Sequence, residues 1–242
     1  MGTCTLRAAI KAARDLAAQS PSLNAHAVNL GVAGTYLLTL GQLTVHGPPN
    51  GLILVIANTS GGAVALDGNN ASCVPDVAPT AGVTLYVDGV AVQHGRAGSG
   101  ESGGGLRITG GAFVTLTNTT ASGNVAGTNG GGLANIGLLT LTNTTVSGNS
   151  AAVGGGLFNE PSPFPRTLQA SIVARNRGGN CNAPINSQGD NVRDDSTCFA
   201  HDPSGLHDQV VAPSTPLLGT SAATAGSHRP SRCCPAARRS TG

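Results

Sequence analysis

The side chains able to do chemistry fall into two groups. Asp67, Asp76, Asp88, His94 and Arg96 form the only tight ionisable set in the first half. A catalytic site needs converging acid, base and positioning groups, and this set holds all three types. Asp67 and Asp88 each precede a glycine, however, which is the ordinary turn role of Asp. The expectation is therefore structural, and no catalytic residue is assigned. His46 precedes Gly-Pro-Pro and reads as a turn residue. The second group is a polar loop carrying Asp190, Asp194 and Asp195, with Asp202 and Asp208 beyond. Flexible acidic loops supply the several oxygens that Ca²⁺ takes, so Asp190, Asp194 and Asp195 are the metal candidates. Their spacing fits no EF-hand or other strict pattern. A solvated loop without cofactor is the plainer reading.

Cys181 and Cys198 bracket that loop. A disulfide closing it is expected in an oxidising compartment, because the loop is too polar to hold itself by packing. Two free thiols are the alternative. Cys4 and Cys73 stand alone, Cys233 and Cys234 are adjacent, and no spacing reads as a zinc site. No P-loop, G-x-S-x-G or H-E-x-x-H occurs. Four N-x-S/T sequons, at Asn58, Asn70, Asn118 and Asn143, follow from Asn/Thr richness and need no glycan.

The elements that must position these residues are set by a repeat. Gly103 to Asn176 is three copies of one line, in which Leu116, Leu141 and Leu168 are equivalent. The period is 25 and then 27 residues, the range of solenoids and stacked arrays. Within copies, Val114/Leu116 and Leu139/Leu141 alternate with Thr115/Thr117 and Thr140/Thr142, a strand pattern that stacks Leu over Leu and Thr over Thr. Arg166, Thr167 and Gln169 are expected to break the Thr columns in the third copy. Asn124, Asn149 and Asn176 align at bends, where Asn tolerates positive φ and stacked amides can bond along the ladder. Glycine runs at 103–105, 130–132 and 154–156 permit positive φ and close backbone approach. A leucine-rich repeat fails because each copy lacks a helical half and its Asn is misplaced.

Upstream, from Ala27, short alternating runs end at Gly, Asn or Pro, as strands and turns do. Residues 5–18 read as one amphipathic helix with Leu6, Ile10, Ala13 and Ala17 on its face. Ser20-Pro21 stops it. Such a helix suits the open end of a solenoid core, which something must cover.

Composition agrees. Glycine is abundant at 36 residues, charged residues make only 10% and aromatics 2%, which excludes a core of large rings and suits many short strands. Net charge is +2, but Arg229, Arg232, Arg238 and Arg239 crowd the last residues, so the body has no basic face and nucleic-acid binding is excluded. No run is long enough to span a membrane, and no signal peptide opens the chain.

Several stretches are similar to known sequences. CTLRAAI at 4–10 resembles the C-S-L-R-E-A-I signature opening a group of secreted bacterial β-helix domains, and GTYLLTL at 34–40 resembles their G-T-Y-x-L strand. GGGLANIGLLTLTNTTVSGNSA at 130–151 resembles their repeat, which polymorphic outer-membrane proteins share in looser form. NCNAPINSQGDNVRDDSTC at 180–198 resembles their Cys-bracketed loop. Over about residues 3–219 the chain thus looks like a choice-of-anchor Q domain. The resemblance implies an all-β fold of the pectin-lyase-like kind. That fold is a single-stranded right-handed parallel β-helix (solenoid) with an N-terminal α-helical cap, extracellular or at the cell surface. Ala8 replaces the signature Glu, so a capping interaction is missing. The family's earlier Cys, which would pair with Cys4, is absent. The tail after Gly219 departs from the family's continuation in a way a frameshift explains, and an N-terminal truncation would account for the missing signal peptide.

The expected organisation is a capping helix at 1–20, a parallel β-helix at 21–180, an irregular Cys-bracketed loop at 181–219 and a disordered or frameshifted tail at 220–242. The expected function is a non-catalytic, monomeric module for adhesion or for binding a glycan or cell-surface component. Pectin-lyase-like folds also include enzymes that cleave acidic polysaccharides with clustered acids, Ca²⁺ and a proton-abstracting Arg or Lys. A polysaccharide lyase or hydrolase centred on Arg96 is therefore the alternative. Ice binding by the Thr columns is a further, weaker one.

Overall fold

The structure, a computed structural model, describes residues 5–20, 25–49, 51–77, 82–161, 163–199 and 206–212. Cys4, Asp202, Cys233, Cys234 and the 220–242 tail lie outside the described residues.

The chain begins with α1 (Leu6–Gln19), whose buried residues are Leu6, Ile10, Ala13 and Ala17, the face expected from the spacing. Thr5 caps it by accepting from the Ala8 N–H, half of a capping box whose other half Ala8 cannot supply. Each following turn of chain lays down three strands. The first is β1 (Ala25–Leu30), β2 (Gly34–Leu37) and β3 (Leu43–Val45). The second is β4 (Leu52–Asn58), β5 (Val64–Asp67) and β6 (Pro75–Val77), and the third β7 (Val83–Asp88), β8 (Ala91–Gln93) and β9 (Leu106–Ile108). The fourth and fifth turns are β10 (Phe113–Thr117), β11 (Thr120–Ser122), β12 (Leu133–Asn135), and β13 (Leu138–Thr142), β14 (Thr145–Ser147), β15 (Leu157–Asn159). Then come β16 (Arg166–Gln169), β17 (Ile172–Ala174), β18 (Asn186–Ser187), β19 (Val192–Arg193) and β20 (Gln209–Val210).

Equivalent strands pair in parallel, giving sheet A (β1-β4-β7-β10-β13-β16-β18), sheet B (β2-β5-β8-β11-β14-β17-β19-β20) and sheet C (β3-β6-β9-β12-β15). The result is a parallel β-solenoid of about five turns with a single N-terminal helix. Parallel strands buried on the inner face need apolar columns. Ile56, Val87, Leu116, Leu141 and Leu168 stack in register on sheet A, each no more than 5% exposed. Leu66, Val92, Ala121, Val146 and Val173 do the same on sheet B.

Three expectations need correction. The solenoid does not stop at 180: β18, β19 and β20 extend sheets A and B into the Cys-bracketed loop and past it. The columns of the repeat run on because two-residue ladders suffice once a rung exists beneath them. Thr167 does not break its Thr column, since it pairs with Thr140, which pairs with Thr115. Only the second column changes, from Thr142 to Gln169. Positive φ falls on Asn118 and Asn143, in the turn between sheets A and B, and not on Asn124, Asn149 or Asn176. Those three point inward instead.

The glycine runs do the two jobs expected. Gly130 has φ of 64°, and a Cβ on its neighbour Gly131 would lie 2.4 Å from the Ser150 carbonyl oxygen. No other residue fits between those rungs.

Candidate functional site

The acids of the loop end two hydrogen-bond ladders. Asn124, Asn149 and Asn180 are fully buried or nearly so, which a side-chain amide tolerates only when bonded. The Asn124 amide donates to Asn149 Oδ1, Asn149 to Asn176 Oδ1, and Asn176 to Asn180 Oδ1, each at 3.0 Å. The Asn180 amide then donates to Asp194 Oδ1 at 2.7 Å. A row of amides all pointing one way needs a terminal acceptor, and a carboxylate has no hydrogen to misplace. A second ladder runs from the Thr144 N–H to Ser171 Oγ, the Ser171 N–H to Asn191 Oδ1 and the Asn191 N–H to Asp208 Oδ1. It too ends on an Asp.

This geometry assigns the metal candidates. Asp194 Oδ2 accepts from the Arg175 N–H. Asp195 accepts from the Asn180 N–H on one oxygen and from Thr197 N–H and Oγ1 on the other. All four oxygens of the Asp194–Asp195 pair are therefore in use. Asp190 sits apart, 3.7 Å from His207 and exposed. Among the described residues no three His, Cys, Asp or Glu side chains converge as a metal would require. The residues present do not fit a calcium site. Burial pushes the Asp195 carboxyl up, but the bonds from Thr197 and Asn180 outweigh it and hold it below 3.8.

Cys181 and Cys198 are joined by a disulfide that closes this loop. The bridge sits in the core, with Cys181 3% and Cys198 0% exposed.

The first ionisable set is divided among three places. Asp67, at the end of β5, accepts from Gln93 Nε2 and from His94 Nδ1 at 2.8 Å, and its Oδ1 takes the Asn69 N–H in an Asx turn. Burial raises the Asp67 carboxyl, yet the bonds from His94, Gln93 and Asn69 leave it below its ordinary value. Asp76, on β6 of sheet C, is gripped by the Arg107 fork at 2.8 Å on both oxygens and also accepts from Gln42 Nε2. The Gln42 carbonyl takes the Cys73 S–H, a buried thiol whose pKa burial pushes up to about 11. Asp88 lies exposed at the end of β7 and accepts from Asn118 Nδ2. Arg96 is exposed on the corner between sheets B and C, in register with Val125 of the next rung. His46 is not idle in its turn: its Nε2 lies 2.6 Å from Arg14 of α1.

The feature that sequence reasoning missed is the outer face of sheet A. Tyr86 is 42% and Phe113 41% exposed there. Tyr86 pairs with Thr115 and Phe113 with Thr84, so the two rings sit diagonally on adjacent strands, about 8 Å apart at the backbone. Phe164 packs edge-on against Phe113, with ring centroids 6.4 Å apart. Columns of Thr115, Thr140 and Thr167, and of Asp88, Thr117, Thr142 and Gln169, flank the rings. Tyr86 and Phe113 were legible as outward positions of alternating strands, but only the register shows that they are neighbours.

The fold and these surfaces define the class: a parallel β-solenoid whose ionisable groups mostly serve its own backbone. Compared with known proteins, the chain matches no family model, no curated protein and no solved structure.

Proposed function

We propose that this chain is a non-catalytic, secreted or surface-displayed module, acting as a monomer, that holds a glycan or cell-surface component against the outer face of sheet A. The observation that carries the reading is the Tyr86–Phe113 pair beside hydroxyl columns. A pyranose ring has an apolar C–H face and a rim of hydroxyls. Exposed aromatic rings supply area for the first at low entropy cost, and Thr, Asp and Gln supply partners for the second. The face is also rigid, since β7, β10, β13 and β16 beneath the rings and the Thr columns are each paired on both sides. The resemblance to secreted β-helix domains supports the location.

The test is retention on a glycan array and on intact cell surfaces, with Tyr86→Ala and Phe113→Ala alongside. Retention without turnover, reduced roughly tenfold in the double variant, is expected. A blank array at high protein concentration would overturn the binding reading. Release of new sugar ends from pectate, alginate or a related polymer would overturn the non-catalytic one.

A further inference from the structure

We propose that the free edge of β1, beside α1, is a docking site for an extended apolar peptide of a partner protein, added to sheet A as one more strand. β1 ends the order of its sheet, so only one of its edges is paired. The Thr59 N–H donates to the Leu30 carbonyl, which turns the peptide groups of Leu30 toward β4. Alternate residues of a parallel strand bond to the same neighbour. Val28 and His26 therefore turn to β4 as well, while Ala25, Ala27 and Asn29 turn away from it. All three are exposed, and among the described residues no backbone group bonds to that row. They offer N–H and C=O groups at the spacing of a strand.

This edge also lacks the usual protection. Proteins blunt a free edge with charge, proline, bulges or a very short strand. At the opposite end of the solenoid β18 and β20 have two residues each. β1 has six, and its sequence AHAVNL carries no Lys, Arg, Asp, Glu or Pro.

The space beside the edge has matching chemistry. A groove of about 420 Å³ runs between α1 and β1, within the volume range of ligand sites. Ala9, Ala12 and Leu16 form its helix wall, Val28 and Tyr36 line it from the strands, and no Asp, Glu, Lys or Arg reaches it. The charges of α1 lie on the other flank, where Arg7, Lys11 and Arg14 face His46. A solvent-facing helix flank is ordinarily polar. This one presents Ala9, Ala12 and Leu16 at i, i+3 and i+7, with Leu16 54% exposed.

These features together select the occupant. An acyl chain would fill the groove but leave the edge groups of Ala25, Ala27 and Asn29 unbonded. A peptide strand bonds them and lays alternate side chains against α1. A second copy of the chain would bring a whole sheet end. α1 stands in its way, lying over the core with Ile10 and Ala13 buried in it. A single strand fits beside the helix. The inference uses neither Tyr86 nor Phe113 and does not rest on the glycan reading.

The experiment is titration of the full chain with an end-blocked hexapeptide of alternating valine and threonine, matched to the six residues of β1 and followed by amide hydrogen exchange. Saturable binding is expected, with protection rising at the Ala27 and Asn29 N–H groups. Ala27→Pro removes one edge-facing donor and leaves the β1–β4 bonds in place, so it should weaken binding roughly tenfold with little change in Tm. Ala12→Glu, at an exposed position of the groove wall, should weaken binding to a similar degree without touching the strand. It decides the matter should Ala27→Pro unfold. Tyr86→Ala with Phe113→Ala should leave peptide binding unchanged, and Ala12→Glu should leave glycan retention unchanged. Absent saturable binding, or binding indifferent to both groove variants, would overturn the proposal. Displacement of the peptide by sodium decanoate at equal concentration would assign the groove to acyl chains instead. Protection of Ala27 and Asn29 that rises with protein concentration alone would assign the edge to a second copy.

Discussion

Asn149 spans three rungs with one side chain. Its Oδ1 accepts from the Asn124 N–H and amide, and its Nδ2 donates to the Ala121 carbonyl and Asn176 Oδ1. Asn149→Ala orphans buried groups on both neighbours, at about 1–3 kcal/mol per unsatisfied group. We expect a loss of about 3 kcal/mol or more, read as a lower urea midpoint at unchanged slope. Asn143, exposed at φ 49°, provides the contrast. Asn143→Gly should shift the midpoint hardly at all, since glycine accepts that backbone. Acid sensitivity belongs to Asp195, which takes the Asn180 N–H beside the end of the first ladder. Asp195 has a folded pKa below its ordinary 3.8, so its contribution is fully present above that value and disappears as pH falls through the folded one. Unfolding midpoints measured from pH 6 to pH 2 should drop most steeply below about pH 4, and Asp195→Asn should flatten that drop. An unchanged profile would mean that Asp195 carries no linkage.

The elements at the two ends are held by different devices. At the N-terminal end, α1 lays Leu6, Ile10, Ala13 and Ala17 over the open core, and Arg7 clamps the 40–42 turn through three carbonyls. Ile10→Asp should lift the helix and expose the edges of β1, β2 and β3 to pairing with other chains. Size-exclusion chromatography should then show concentration-dependent oligomers where the parent chain elutes as one species. At the C-terminal end the core is closed by the disulfide and the Asp caps. Cys181 and Cys198 are 17 residues apart, a loop whose closure is worth about 3 kcal/mol. Reduction should therefore lower Tm, and Cys181→Ser with Cys198→Ser should match the reduced protein. The helix face, the Leu columns and the glycine turns were legible because each is a period in the sequence. The roles of Asp194, Asp195 and Asp208 were not. A carboxylate that accepts backbone N–H groups and one that binds calcium look alike until the Asn ladder is seen to end on it. The division of Asp67, Asp76 and Asp88 was equally hidden, because neighbours in sequence fall on different sheets of a solenoid.

At the scale of the whole molecule, each rung touches only the rungs before and after it. Stability is then close to a sum of rung and interface contributions, and damage should stay local unless the rungs are strongly coupled. The ladders provide that coupling. The Asn chain from Asn124 to Asp194 and the Leu column from Ile56 to Leu168 each cross several interfaces without a break. The short strands β18, β19 and β20 have two residues each and little apolar column beneath them. Native-state hydrogen exchange should consequently show the highest protection in β10 and β13, with protection falling toward β20. Leu141→Ala removes a fully buried side chain from the middle of the column, at about 3 kcal/mol. Strong coupling predicts that this substitution lowers protection in β4 and β7 as well as in β13 and the strands paired to it, β10 and β16. Weak coupling predicts a loss confined to β13 and those two flanking strands, with β4, β7 and the α1 end untouched. The ladders favour the first outcome. Protection lost only in β13 and its two flanking strands would show that the amide chains stabilise rungs one at a time rather than binding them into a single cooperative unit.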